Sequence, residues 1–178
     1  MNLEALGRRF ARLVTNIVIR RPRLWFLLRG PLRVQFDRLA PRWDAMRSAD
    51  AYAPYEAALE QVDPPPKRAL DLGTGTGGAA FTLARRFLEA EVIGADIAAQ
   101  MIEQARRNLP DDLRGRVRFE VADAAKLPYR DGEFDLVGLS NMIPFFDELD
   151  RVIAPGGFLI VAFSGGAETP IYVPFDRL

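Results

Sequence analysis

Asp71-Leu72-Gly73-Thr74-Gly75-Thr76-Gly77-Gly78 is the stretch that decides the fold. It closes a short apolar run, Ala69–Leu72. It opens Gly78–Leu88, where Ala80, Phe81, Ala84, Phe87 and Leu88 supply the apolar positions of a helix. The pattern predicts a buried strand, a tight glycine turn and a helix that begins at once. Glycine lets the backbone turn sharply and approach a ligand closely. The first amides of the helix have no partner within it and face the loop. Such a place suits a phosphate or a carboxylate.

The same alternation continues downstream. Glu91–Ala95 reads as a second strand, and Ile97, Met101, Ala105 and Leu109 repeat every four residues on one helical face. Arg116–Val121 and Phe134–Leu139 read as the third and fourth strands. A short helix near Phe145–Val152 and a fifth strand, Phe158–Phe163, follow. Five apolar strands separated by helices or crossovers predict an α/β fold with a parallel sheet covered on both faces. Right-handed crossovers make it an open, doubly wound, Rossmann-like sheet. Pro155-Gly156-Gly157 reads as a structural turn with glycine at positive φ.

Upstream, Phe10, Leu13, Val14, Ile17 and Val18 recur at helical spacing, and Pro22, Gly30-Pro31 and Pro41 punctuate the segment into short pieces. Ala51–Val62 reads as another helix. Asp63-Pro64-Pro65-Pro66 is a stiff linker. The expected organisation is a helical arm and lid over 1–62 and an α/β domain over 63–178.

Cysteine and histidine are absent. That excludes disulfides, thiol nucleophiles, Cys/His zinc sites and imidazole acid–base chemistry, and no metal site is expected. Absent cysteine fits a reducing, cytoplasmic compartment. No uncharged apolar run reaches the roughly 18 residues of a membrane span. The net charge is zero but unevenly spread. Residues 1–43 carry ten arginines against Glu4 and Asp37, a balance of +8, and the rest of the chain balances it at −8.

In open α/β sheets ligands bind outside the carboxyl ends of the strands. Gly73, Gly75 and Gly78 also satisfy a dinucleotide fingerprint, so the glycines alone leave NAD open. Asp71 favours a different ligand. A carboxylate there repels a pyrophosphate at short range but attracts the ammonium of an amino-acid-like ligand. This points to S-adenosyl-L-methionine as cofactor. Asp96, 25 residues beyond Asp71, suits both hydroxyls of a ribose or caps the following helix. Asp123 suits an adenine amino group, with the Ala124 amide on the ring, or serves as a turn or cap carboxylate. Ser140 and Asn141 flank the methionine half or form a polar β–α loop. Gly73, Thr74, Gly75 and Gly77 form the cradle. Ile97 and Met101, on the helix after Asp96, complete the expected cofactor-binding set.

Asp71–Gly77, Asp96, Val121-Ala122-Asp123-Ala124, Phe134-Asp135-Leu136-Val137 and Arg151–Gly157 together resemble the ordered motifs of class I S-adenosylmethionine-dependent methyltransferases. The closest resemblance is to the small-molecule subgroup called type 11, which includes quinone C-methyltransferases. It covers about Lys67 to Ser164. Phe36–Asp44 resembles the segment that precedes the fold in this family. The resemblance implies that it lids the cofactor, with Trp43 and Tyr52 over the methionine end. It implies a small-molecule, lipid-like methyl acceptor.

Two departures stand out. The family's sheet ends with two further strands, the last antiparallel, and neither is seen here. The sequence reaches Asp176-Arg177-Leu178 where another helix is expected to begin, so either it is a fragment or an oligomer or partner covers the open edge. The Asn/Asp-Pro-Pro-aromatic tetrad of nucleic-acid amino methyltransferases is missing, and nucleic acid is not the expected substrate. No catalytic residue is assigned. The available bases are Asp44, Tyr52, Asp147 and Glu148. The basic arm has three readings: a solvated helix packing its apolar face on the domain, a membrane-surface helix over Arg20–Val34 that makes the chain membrane-peripheral, or a phosphate-binding surface. Two rival functions stay open, an NAD-dependent oxidoreductase and a non-catalytic interaction domain.

Overall fold

The computed structural model describes residues 3–48 and 50–174, with side chains from residue 6 onward. The elements are α1 (Leu3–Arg20), α2 (Trp25–Leu39), α3 (Ala53–Leu59), β1 (Arg68–Leu72), α4 (Gly78–Arg86), β2 (Glu91–Asp96), α5 (Ala99–Asn108), β3 (Val117–Val121), β4 (Phe134–Ser140), α6 (Phe146–Val152) and β5 (Ile153–Ala162). The five strands form one sheet in the order β3-β2-β1-β4-β5, and every pair is parallel. The order reverses between β1 and β4. The carboxyl ends of those strands therefore border the crevice where such sheets take ligands.

Successive side chains along a strand point to opposite faces, so a strand buried on both sides must be apolar throughout. Ala69, Val92, Val117, Leu136 and Ile160 face one core, covered by α3, α4 and α5. Leu70, Leu72, Ile93, Ala95, Val137 and Leu139 face the other. Residues 122–133 connect β3 to β4 without a helix. The second face is covered instead by α6 and the arm: Val14 and Val18 of α1 and Trp25 and Leu32 of α2 join Leu149 and Val152 in the same cluster. The arm thus completes a core that the strands alone leave open. Among the described residues no helix is long and apolar enough to cross a membrane.

Several expectations shift. Pro31 does not break the arm but sits inside α2. It removes the i→i−4 bond to the Leu27 carbonyl on an exposed stretch of α2, where that carbonyl is open to solvent and the lost bond costs little. The second arm helix is therefore continuous. The helix expected over Ala51–Val62 is shorter, Ala53–Leu59. β5 starts earlier than expected, with Ile153 opposite Phe134. Pro155-Gly156-Gly157 then loops out before pairing resumes at Leu136 opposite Phe158, and Gly156 has φ +80°. The helix expected to begin at residues 176–178 lies outside the described residues.

Candidate functional site

Gly73, Gly75 and Gly77 have φ of +76°, +54° and +95°, conformations that disfavour any residue with a Cβ. The amides of Gly73 and Thr74 donate to the Ala95 carbonyl at 2.8 and 3.0 Å, so the loop folds over the end of β2. Asp96 fastens it from the other side. Its Oδ2 accepts from the Gly75 amide and its Oδ1 from the Ala98 amide, each at 2.9 Å. Asp96 therefore bridges the glycine loop and the entrance to α5, with burial pushing its carboxyl up. The first turn of α5 is capped instead from the arm, where Asp37 Oδ1 accepts from the Gln100 amide at 2.9 Å.

Asp71 lies at the heart of the site and is 1% exposed. Its Oδ2 accepts from the Thr74 hydroxyl at 2.6 Å, while its Oδ1 has no partner. Burial pushes its carboxyl up to about 6, against the opposing pull of the Thr74 hydroxyl and the Arg47 guanidinium. Arg47 is held between two aromatic rings, with Cζ 5.5 Å from the Trp43 centroid and 4.7 Å from the Tyr52 centroid. Its Nη1 is buried without a partner, and burial lowers its pKa. Trp43 Nε1 and the Tyr55 hydroxyl are also buried and unpartnered. Buried polar groups are nearly always paired. Here three of the four orphaned side-chain atoms among the described residues belong to Asp71 and to the segment that covers it, and the fourth is the Tyr55 hydroxyl of α3, which lies against Gly138 of β4.

That segment is fastened at three points. Asp44 accepts from the Thr76 hydroxyl at 2.5 Å and from Asn108 Nδ2 at 2.9 Å. Asp37 caps α5. Further back, Trp25 Nε1 donates to Asp123 Oδ1 at 2.6 Å, and Arg29 pairs with Asp123 Oδ2 at 2.7 Å. The indole of Trp43 lies on Gly75, where a Cβ would come within 3.1 Å of Nε1. Met142 lies on Gly73 in the same way, and Tyr52 on Gly78.

The expected site residues fall into two groups. Asp71, Gly73, Thr74, Gly75, Gly77 and Asp96 converge on one loop. Met101 is buried with Ala40 and Ala98, next to Trp43. The others are committed elsewhere or lie in the core. Both Asp123 oxygens accept bonds from the arm, and Ala124 is buried in the second core, against which Ile97 packs. Ser140 is buried at the end of β4. Asn141, at φ +56°, donates from Nδ2 to the Ser164 hydroxyl and accepts from the Ser164 amide, tying β4 to β5. Among the candidate bases, Asp44 accepts one bond on each oxygen and is exposed, as is Asp147. Glu148 is tied to Arg151 and the Leu127 amide. Arg47 was not legible in the sequence; its only signal is its place one helical turn after Trp43. Trp25, which lies within Arg20–Val34, the stretch that one of the three readings of the arm takes as a membrane-surface helix, is 4% exposed and packs edge-on against Phe145. Two open cavities of about 540 and 560 Å³ lie away from the glycine loop, along β5.

Residues 69–157, half of the chain, match the family model described as methyltransferase domain. A demethylmenaquinone methyltransferase of Thermus thermophilus is 42% identical over 139 residues, covering 71% of this chain and 62% of that protein. A malonyl-[acyl-carrier protein] O-methyltransferase of Halorhodospira halophila is 38% identical over 143 residues, covering 75% and 48%. The chain therefore spans between about half and two thirds of the length of these relatives. Among solved structures, a geranyl diphosphate methyltransferase in complex with GPP and sinefungin superposes with a TM-score of 0.54 at 23% identity, over 62% of this chain and 44% of that one. With this sheet order, this glycine loop and a family match across half its residues, the chain belongs to the class I S-adenosylmethionine-dependent methyltransferases.

Proposed function

We propose that the chain binds S-adenosyl-L-methionine across the carboxyl ends of β1 and β2 and methylates a small apolar acceptor. One observation carries the cofactor reading: buried Asp71 and half-buried Arg47 are opposite charges, each with a buried orphaned atom, at one glycine loop. An α-amino acid zwitterion satisfies both. Its ammonium suits Asp71 Oδ1 and its carboxylate suits Arg47 Nη1, a charge-assisted pairing. A pyrophosphate satisfies Arg47 alone and is repelled by Asp71, which disfavours NAD. Asp96 keeps an acceptor position on each oxygen for ribose hydroxyls. When bound, the cofactor supplies an electrophilic methyl carbon and its own leaving group. The chain's part is then to bind, align and exclude water, with Trp43, Tyr52 and Met142 closing over the loop.

The acceptor reading rests on the quinone-directed names of several relatives, among them the demethylmenaquinone methyltransferase of Thermus thermophilus. A quinone-like acceptor resides in lipid, so this reading has the chain work at a membrane surface. The open side of β5, with exposed Leu159, suits a further strand from a partner or a second copy.

Calorimetric titration with S-adenosylmethionine, S-adenosylhomocysteine and NADH tests the cofactor. The first two should bind, and both should lose affinity in Asp96→Ala and Arg47→Gln. Binding of NADH alone would overturn the reading.

A further inference from the structure

The arm buries one side of each helix and leaves the other with a composition unlike the rest of the surface. On α1 the buried positions are Ala11, Val14, Thr15 and Val18. The opposite stripe, at spacings of three and four, carries exposed Arg9, Leu13 and Arg20. The corner between α1 and α2 adds exposed Arg21 and Arg23, and α2 begins with Phe26 and Leu27, which are 64% and 59% exposed. Among the described residues none of Arg20, Arg21 and Arg23 pairs with a carboxylate. No acidic residue occurs anywhere between Glu4 and Asp37. The basic surface is therefore uncompensated locally, and two large exposed apolar side chains follow it at the start of α2.

We infer that this corner docks on an anionic lipid bilayer, with Phe26 and Leu27 entering the headgroup boundary and Arg20, Arg21 and Arg23 meeting lipid phosphates. Exposed apolar side chains next in sequence to exposed arginines match the two attractions that hold an interfacial helix. A nucleic acid would use the arginines but gain nothing from aliphatic Leu27. Trp25 is not part of the docking face, because its ring is in the core and its N–H is on Asp123. Arg29 is also engaged there. The inference extends the membrane-surface reading of the acceptor and rests on it only for its purpose. Vesicle binding is measured without cofactor or acceptor, so either can fail alone.

The test is co-sedimentation of the full chain with phosphatidylcholine vesicles, with and without phosphatidylglycerol. Truncating the arm is unsuitable, since it would remove Val14, Val18 and Trp25 from the core. Two exposed-surface variants replace it: Arg20→Gln/Arg21→Gln/Arg23→Gln and Phe26→Ser/Leu27→Ser, each checked for unchanged unfolding midpoint. The parent chain should bind the anionic vesicles and release on adding salt. At roughly fivefold per arginine, the charge variant should lose on the order of a hundredfold in partitioning. The apolar variant should lose about tenfold or more. Parent chain that stays in the supernatant overturns the inference. So does an apolar variant that binds like the parent, which would mean simple charge adsorption. Tighter binding to duplex DNA or RNA than to vesicles would assign the face to nucleic acid instead.

Discussion

Replacing Asp71 by asparagine should make the chain more stable and useless to its cofactor, and the gain should depend on pH. In the folded chain the Asp71 carboxyl holds its proton to about pH 6, against an ordinary value of 3.8. Burial is the dominant cause, and at 1% exposure there is no solvent screening to discount. The folded state binds this proton more tightly than the unfolded chain does. Its contribution is therefore intact below about pH 4 and is lost as pH rises through about 6. Two pKa units correspond to about 3 kcal/mol. Asparagine keeps an acceptor for the Thr74 hydroxyl and removes the charge. It also puts an amide N–H where Oδ1 has no partner, at a cost of about 1 kcal/mol. The variant should thus be more stable than the parent by about 2 kcal/mol at pH 8 and less stable by about 1 kcal/mol at pH 4. Urea unfolding of both chains across this range, without cofactor, measures the difference. Other titrating groups cancel in the comparison. A difference that stays constant from pH 4 to pH 8 would refute the argument, because it would mean that Asp71 is not titrating in the fold.

Cofactor affinity should weaken as pH falls below about 6, up to about tenfold per unit, because only ionised Asp71 holds an ammonium. Calorimetry of the parent chain in a pH series reads this directly, and an affinity that stays constant from pH 4 to pH 8 would refute it. Gly138→Ala should destabilise by about 1–3 kcal/mol, since its Cβ would overlap the Tyr55 hydroxyl lying across β4. Adding Tyr55→Leu should restore most of the unfolding midpoint. Asp135→Ala should cost about 1–3 kcal/mol, because Asp135 Oδ2 accepts from the amides of Lys67 and Arg68 at 2.8 and 2.9 Å and so pins the start of β1 to β4. Its cofactor affinity should stay at the parent value, since the ligand edge lies at the other end of both strands.

The sheet was readable because strands buried on both faces have to be apolar, and the glycine loop because positive φ selects its residue. That Asp71 and Asp96 stand at the glycine loop was readable for a related reason: each is within the last two residues of a strand, at the carboxyl edge. Contacts made across long sequence separations were not readable. Nothing local in Asp37 says that it caps a helix starting at Ala99. Nothing in Asp123 says that Trp25 and Arg29 reach it. Arg47 shows the limit most plainly, because its meaning comes from two aromatic rings and from a carboxylate that lies 24 positions along the chain. Pro31 misled for the opposite reason. Its local rule is correct, but a single missing bond on an exposed stretch of helix costs little.

The arm's several roles follow from one omission in the topology. With no helix between β3 and β4, the second face of the sheet lacks a cover where Leu70, Ile93 and Val137 emerge. α1 and α2 supply it, and their path onto that face fixes where the following segment must go. It runs past Asp123, along α5 through Asp37, and onto the glycine loop through Asp44, which brings Trp43 and Arg47 over Asp71. Lid and core are then one piece. A perturbation that loosens Val14 or Leu32 acts on the cofactor edge as well as on stability, though neither residue is near it. That coupling predicts an order of effects: Leu32→Ala should lower the unfolding midpoint and weaken S-adenosylhomocysteine binding together, whereas Leu113→Ala, at the far edge of the other core, should lower the midpoint alone. Equal losses of affinity in the two variants would mean that the lid responds to global stability and not to the face that the arm covers.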